Sequence, residues 1–173
     1  VDRISVLKGS SGVRFGPEAL GGAIIVEPDP MKLNQPYYFN TNFGYQTNGR
    51  GRNFSIDTGK GYKNLGFNVG LSHIKIGDRH APSYSLTNSG KEEKGFNIGL
   101  HYHLSNFDIK FYYSYVDVNL ALLRSSIFHS GNAISRAISS EEPLFIRPFS
   151  FDINEPNQLV DHHLAKVNIN WWY

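Results

Sequence analysis

The sequence has no cysteine and a single methionine in 173 residues. Without cysteine there is no disulfide and no thiolate nucleophile or thiolate metal ligand. Charged residues make up 18%, below the roughly 25% usual for soluble domains. No apolar run reaches about 18 residues, which excludes a transmembrane helix. A transmembrane β-barrel stays open, because its strands are about 9 to 11 residues long and apolar on one face only. The net charge is +2, and the seventeen Lys and Arg are spread along the chain. No basic arm for nucleic acid is therefore legible. The patterns GxGxxG, GxxxxGK[ST] and GxSxG are all missing, so neither a phosphate cradle nor a nucleophile elbow is expected. No secretory leader opens the chain, since Val1-Asp2-Arg3 leads straight into a strand-like run. An envelope protein would be mature or incomplete at this point.

What is abundant is glycine, at 17 residues, and aromatic side chains, at 14%. Residues 1–28 read as one unit. Ile4-Ser5-Val6-Leu7 and Ala23-Ile24-Ile25-Val26 form short strands around a glycine-rich middle, with one helical turn at Pro17-Glu18-Ala19-Leu20. Pro28, Pro30 and Pro36 then remove backbone donors and fix φ, so residues 29–36 are expected to be a linker.

Residues 37–173 change character and alternate with period two. Phe39, Thr41, Phe43 and Tyr45 alternate with Asn40, Asn42 and Gly44. Phe54, Ile56 and Thr58 follow, then Leu65 to Leu71, Phe96 to Leu104, Phe107 to Tyr115 and Ala165 to Tyr173. Six such segments predict six strands. Tyr62-Lys63-Asn64 and Ser105-Asn106 are tight turns, whereas 76–94 and 119–161 are long connections. The connection at 48–51 is short but falls on the same side as the long ones. Within the last long connection, Asn132 is expected to cap a helix over 133–140, with Ile134, Ala137 and Ile138 on one face and Pro143 beyond it.

Alternation also suits a soluble sheet with one buried face. Three features favour a barrel. The polar positions are mostly Gly, Asn, Ser and Gln, suited to a crowded lumen. Aromatics cluster near strand ends, at Tyr37-Tyr38, Tyr62, Tyr113, Tyr115 and Trp171-Trp172-Tyr173. The last strand has no partner after it, and about eight strands are needed to close a membrane barrel. The expected fold is therefore mainly β: about six N-terminal strands of a transmembrane antiparallel barrel, as a fragment, preceded by the end of an α/β plug.

The opening stretch "VDRISVLKGSSGVRFGPEALGGAIIV" resembles the end of the plug domain of TonB-dependent outer-membrane receptors. Val1, Arg3, Ile4, Val6, Leu7, Lys8, Gly9, Gly16, Ala19, Leu20, Gly21, Gly22, Ala23 and Ile24 match the family pattern. Asp2 and Ser5 replace Glu, Ser10 replaces Pro, Phe15 replaces Tyr and Ile25 stands in an Asn position. The segment "HHLAKV" (162–167) resembles an early barrel strand in receptors of the Bacteroidetes type. The resemblance implies an outer-membrane location in a Gram-negative bacterium, lipid contact, and import energised by TonB acting through a segment missing from this chain. Its usual cargo is a ferric siderophore or similar iron complex, with haem, cobalamin and glycans as variants.

From the residues themselves, Gly9, Gly16, Gly21 and Gly22 are structural turn glycines, with Arg3 in the same plug motif. Arg124, His129, Arg136 and Arg147 sit in the last long connection and are candidate contacts for an anionic small molecule or chelate; Arg14 is a further candidate in the glycine segment. His101 and His103 share a strand face with Asp108 nearby, read as a polar wall and not a metal site, since no third ligand stands at suitable spacing. His162 and His163 point to opposite faces, and His163 and His73 fall on the apolar face. Glu141 and Glu142 read as a solvated pair, not a glycosidase dyad. No enzyme activity and no cofactor are expected. The alternative of a different class is a soluble all-β carbohydrate-binding module; an all-β hydrolase lacks a catalytic constellation, and a passive porin lacks the plug-like start.

Overall fold

The computed structural model describes residues 3–19, 21–27, 31–127 and 130–173. Val1, Asp2 and Leu20 of the plug-like pattern, and the candidate His129, lie outside the described residues. The chain divides into two compact units, Val1–Lys32 and Leu33–Tyr173.

In the first unit β1 (Arg3–Lys8) and β2 (Gly22–Glu27) form an antiparallel pair, with Val6 opposite Ile24 and Leu7 opposite Ala23. Between them the chain makes 3₁₀ turns over Gly9–Phe15 and Pro17–Ala19, a longer helical stretch than the single turn the sequence predicts. Gly9, Gly16 and Gly22 all have positive φ. At Gly22 a Cβ would also come within 2.5 Å of the Leu7 carbonyl oxygen, so only glycine fits. Gly21 does not share the positive φ.

The second unit is a six-stranded antiparallel meander. Its strands are β3 (Tyr38–Gln46), β4 (Gly51–Tyr62), β5 (Leu65–Ile76), β8 (Lys91–Leu104), β9 (Phe107–Ala121) and β10 (Asn157–Trp171). A two-residue hairpin, β6 (Arg79–His80) with β7 (Ser85–Leu86), is inserted between β5 and β8. The sheet order is β10-β9-β8-β5-β4-β3, an open sheet with β3 and β10 at its edges. Two-residue turns at Lys63-Asn64 and Ser105-Asn106 mark one end, the turn end; the other connections gather at the loop end. Lys63 takes the positive φ the first turn requires.

Several elements differ from the sequence prediction. β10 starts at Asn157, eight residues before Ala165, and β8 starts at Lys91. β9 continues past Tyr115 to Ala121. The helix α1 spans Gly131–Ser139 and is capped by Ser130, whose Oγ accepts from the Ala133 N–H at 3.3 Å. Asn132 lies inside its first turn. Serine at the position before the first helical residue satisfies an orphan N–H, the reason it wins over Asn132.

The cross-strand register fixes what each face carries. One face, face A, has Phe39, Thr58, Val69, Ile98, Tyr113 and Ala165 in a single row across all six strands. The next rows toward the turn end are as apolar except for Lys60 on β4, with Phe67, Leu100, Phe111 and Val167, then Tyr62, Leu65, Tyr102, Ile109 and Ile169. Face B is small and polar in the same zone. There five glycines each pair with a larger side chain that lies across them: Gly44 with Asn53, Gly59 with Tyr38, Gly70 with Asn97, Gly95 with Ser72 and Gly99 with Asn68. A Cβ on any of these glycines would strike that partner. The pairing explains why glycine and asparagine alternate along these strands: one yields the space the other fills.

Among the described residues the only buried hydrophobic side chain is Ala121. The large face A residues are open, with Phe43 at 73% and Ile169 at 63% exposure. Burial drives folding at about 25 cal/mol per Å² of apolar surface, so a face of this composition calls for an apolar medium or a partner.

Candidate functional site

The loop end carries the polar side chains that the fold buries. Asp78 (3% exposed) and Asn88 (5% exposed) lie in the connection between β5 and β8. The Asp78 carboxylate accepts from the Ser89 N–H at 3.0 Å and from the Ser150 N–H at 3.3 Å. Its own N–H donates to the Ser150 carbonyl at 2.9 Å. Asn88 uses its whole amide: Nδ2 donates to the carbonyls of Leu122 (2.8 Å) and Pro156 (2.9 Å), and Oδ1 accepts from the Asn154 N–H at 2.9 Å. Asn88 has φ +61°, a conformation asparagine tolerates better than most residues. Thr87 adds two contacts, its Oγ1 accepting from the Arg147 N–H at 2.9 Å and its carbonyl from the Arg124 N–H at 3.1 Å. Asp78, Thr87 and Asn88 thus staple residues 122–156 onto the connection between β5 and β8.

The third connection, between β3 and β4, is tied in as well. Asn48 exchanges two hydrogen bonds with the His80 backbone, at 3.0 and 2.7 Å. The Gly77 N–H donates to the Gly49 carbonyl at 2.8 Å. Three arginines lie over three phenylalanines of the last connection: Arg50 over Phe149 at 4.3 Å, Arg124 over Phe145 at 5.7 Å and Arg52 over Phe151 at 5.9 Å. Each such contact contributes about 0.5 to 1 kcal/mol when exposed. The segment "PLFIRPFSF", irregular in backbone, is held by these contacts and by the buried polar hub.

This scaffold brings two of the predicted residues together. Arg124 and Arg147 line one cavity of about 330 Å³, whose wall also carries Asp78, Asp152, Asn154 and Glu155. A second cavity, of about 380 Å³, shares Arg124 and Glu155 and adds Ile127, Pro156 and Asn157. Arg136 is on α1, exposed, and lines neither cavity. Arg14 belongs to the first unit, where its guanidinium lies over the Phe15 ring at 4.8 Å. Sequence reasoning missed Asp152, Asn154 and Glu155. The signal available was the run Asp152-Ile153-Asn154-Glu155 directly after the arginine-bearing segment.

A second polar cluster lies on face B at the turn end. Asp108 is buried (8% exposed). Its carboxylate meets His101 Nε2 at 2.5 Å, His103 Nδ1 at 3.4 Å and Lys110 Nζ at 3.3 Å. Trp172 closes the cluster, its ring 5.8 Å from that of His103 and its Nε1 donating to the Ser105 carbonyl at 2.9 Å. Lys110 at the carboxylate competes with any cation. Among the described residues no group of three or more His, Asp or Glu has the arrangement to hold a metal ion.

On face A, Lys75, Lys94 and His73 surround Glu92 at 3.5, 3.7 and 3.2 Å. His163 accepts from or donates to the Tyr113 hydroxyl at 2.8 Å and stacks on Tyr115 at 4.7 Å, while the Tyr115 hydroxyl donates to Asp161 at 2.9 Å. Among the described residues no helix is long and apolar enough to cross a membrane, which says nothing of strands. Set beside family models, characterised proteins and solved structures, the chain matches none of them.

Proposed function

We propose that this chain is part of a TonB-energised importer of the Gram-negative outer membrane: the end of a plug, a linker, and the first strands of its barrel. The observation that carries the barrel reading is the slant of the apolar band on face A. Moving from the central row of Thr58, Val69, Ile98, Tyr113 and Ala165 toward the loop end, the first Arg, Lys, His, Asp or Glu on face A is Arg52 on β4, His73 on β5, Lys94 on β8, Asp117 on β9 and His163 on β10. In the register Arg52 faces Lys75, one row beyond His73; His73, Lys94 and Asp117 share a row; and Asp117 faces Asp161, one row beyond His163. The boundary therefore falls by two rows, or four residues, over four strand spacings. Four residues at about 3.4 Å are about 14 Å, and four spacings of about 4.8 Å are about 19 Å. The boundary crosses the sheet at about 35°.

Strands of membrane barrels tilt by about 35 to 45°. A membrane surface drawn across tilted strands must cross the register at that angle. The β4 edge agrees at the other boundary, where Lys60 interrupts the face a row above the level at which β8 is still apolar. Along β8 the apolar stretch Phe96 to Leu104 covers nine residues, eight steps or about 27 Å along the strand and about 20 Å along the normal after tilt, close to the roughly 25 Å band of outer-membrane barrels. Face B, with its small amides and glycines, then lines the interior.

Import, and not passive diffusion, follows from the plug-like opening stretch. In this reading TonB acts through a segment outside these residues, and the loop-end cleft meets the solute first. A ferric siderophore or similar iron complex is the base expectation for cargo. The test is fractionation and energised uptake with the full-length protein in cells with and without TonB. Recovery of the protein in a water-soluble fraction overturns the barrel reading. Outer-membrane recovery with solute uptake indifferent to TonB overturns the import reading and leaves a passive channel.

A further inference from the structure

We infer that the loop-end cleft binds a small zwitterion, an amino acid or short peptide with free termini, through Arg124 and Arg147 for its carboxylate and Asp152 and Glu155 for its ammonium. As a statement about cargo this rests on the import reading; as a statement about binding it does not.

The arginines alone suggest an anionic ligand, but the wall of the cleft is not cationic. It holds two guanidinium groups and three carboxylates. One of the three, Asp78, is buried and spends both oxygens on the backbone N–H groups of Ser89 and Ser150, so its role is to hold the loops. The other two are solvent-facing. Among the described residues the Asp152 carboxylate accepts only from the Ser150 hydroxyl, at 3.1 Å, and the Ser150 Oγ in turn accepts from the Asp152 N–H. Among the described residues no ion pair joins Arg124 or Arg147 to Asp152 or Glu155. Two cations and two anions therefore share a cleft without neutralising one another.

That arrangement discriminates between ligand classes. A polyanionic chelate gains from the arginines and is opposed by the carboxylates. A polycation meets the reverse. A neutral sugar asks for an aromatic platform, and among the described residues no aromatic lines this cleft. A molecule with a carboxylate at one end and an ammonium at the other is complementary to both sets of charges. Arg binds carboxylate in bidentate fashion, and a carboxylate pairs with an ammonium. The size agrees. About 330 Å³ is at the small end of ligand pockets and holds about eleven water volumes. The adjoining cavity, which shares Arg124 and Glu155 and adds Ile127 and Pro156, offers an apolar surface to a side chain next to the charged anchors. The buried Asn88 and Thr87 contacts hold the arginine and acid segments in place before a ligand arrives, which lowers the ordering cost of binding.

The probes are L-alanyl-L-alanine, its N-acetyl form and its C-terminal amide, titrated calorimetrically into the purified full-length protein in detergent. The free dipeptide should bind at least tenfold more tightly than either capped form. Arg147→Gln should abolish the penalty of the C-terminal amide and Glu155→Gln the penalty of the N-acetyl cap. Because the capped ligands are tested on the unaltered protein, a variant that fails to fold does not blur the outcome. Equal affinity for all three ligands, no binding of the free dipeptide at millimolar concentration, or tighter binding of the N-acetyl form would each overturn the assignment. Dipeptide binding without TonB-dependent uptake overturns the import reading and leaves the cleft; uptake of an iron chelate by a protein that ignores the dipeptide overturns the cleft alone.

Discussion

Arginine placed at Leu100 separates a lipid-facing band from an ordinary hydrophobic core. Leu100 stands midway along the apolar stretch of β8, four residues from Phe96 and four from Leu104. At about 3.4 Å per residue and a tilt near 40°, those flanking positions lie about 10 Å above and below it along the membrane normal. A cation on the lipid face of a barrel costs about 2 to 4 kcal/mol at the midplane and about 0 to 1 near the interfaces. Leu100→Arg should therefore shift the folding equilibrium by about 30- to 700-fold, while Phe96→Arg and Leu104→Arg cost a small fraction of that. The assay is equilibrium guanidinium unfolding of the full-length protein in phospholipid vesicles, followed by tryptophan fluorescence and by band shift on unheated gels. A soluble core answers to burial and not to depth, and its cost profile along the strand has no symmetric peak. Equal costs at the three positions, or a cost below about 1 kcal/mol at Leu100, would refute the lipid-facing assignment of face A.

Because the sequence contains no cysteine, a single introduced thiol reports on one position in this part of the protein. In vesicles, Cys at Phe111 or Tyr113 should resist a membrane-impermeant maleimide, and Cys at Tyr112 or Ser114 should react; labelling without period two would rule out a two-faced strand. Asn88→Ala removes three hydrogen bonds from a buried position, at about 1 kcal/mol each. Limited proteolysis should then cut between residues 122 and 156 while the strands stay protected, and an unchanged digestion pattern would deny the hub its role. Ser130→Ala should weaken α1 by about 1 kcal/mol, read as faster hydrogen exchange over Gly131–Ser139, whereas Asn132→Ala should change little; the reverse order would mean that Asn132 is the cap.

The strands were legible where one face meets one medium throughout. Phe107, Ile109, Phe111, Tyr113 and Tyr115 announce β9, yet the strand runs on to Ala121. The sequence pattern stops at Tyr115 because the apolar positions change parity there: Val116, Val118 and Leu120 are on face B. β5 does the same, passing from Leu65, Phe67, Val69 and Leu71 to Ile74 and Ile76. A period-two pattern whose phase flips in mid-strand looks like an ending. The start of β8 is hidden in the sequence for a related reason, since Lys91-Glu92-Glu93-Lys94 carries no alternation in polarity although it pairs with β5 and β9. The site was half legible. Arg124 and Arg147 stand out as cations in a long connection, but nothing local says they share a cavity. The contacts that place them come from Asn88 and Thr87, which lie 34 to 68 residues away in sequence from the groups they hold.

The parity change has a physical reading that joins the sheet to the cleft. Toward the turn end, face A is apolar and face B carries amides and glycines. Toward the loop end, face A carries Arg52, Lys75, Glu92 and Asp117, and face B carries Ile74, Ile76, Val118 and Val160. A sheet that crossed one medium would keep its sidedness. In the barrel reading each strand leaves the bilayer near the slanted boundary, so its outer face turns from lipid to water and must become charged. Its inner face turns from a lumen to the underside of the gathered connections, where apolar side chains are useful. Ile76 is in that place: a Cβ on Gly49 or on Gly51 would strike its side chain, and one on neighbouring Gly77 would strike Phe149. Ile76 is thus packed against the connection between β3 and β4, and Gly77 beside it against Phe149 of the last connection. Replacing Ile76 with Asn should loosen the connections at the loop end, raising protease sensitivity over residues 144–156, without lowering the yield of protein in the membrane. A loss of membrane insertion instead would mean that Ile76 belongs to the spanning part of β5, and that the boundary lies closer to the loop end than the charges on face A place it.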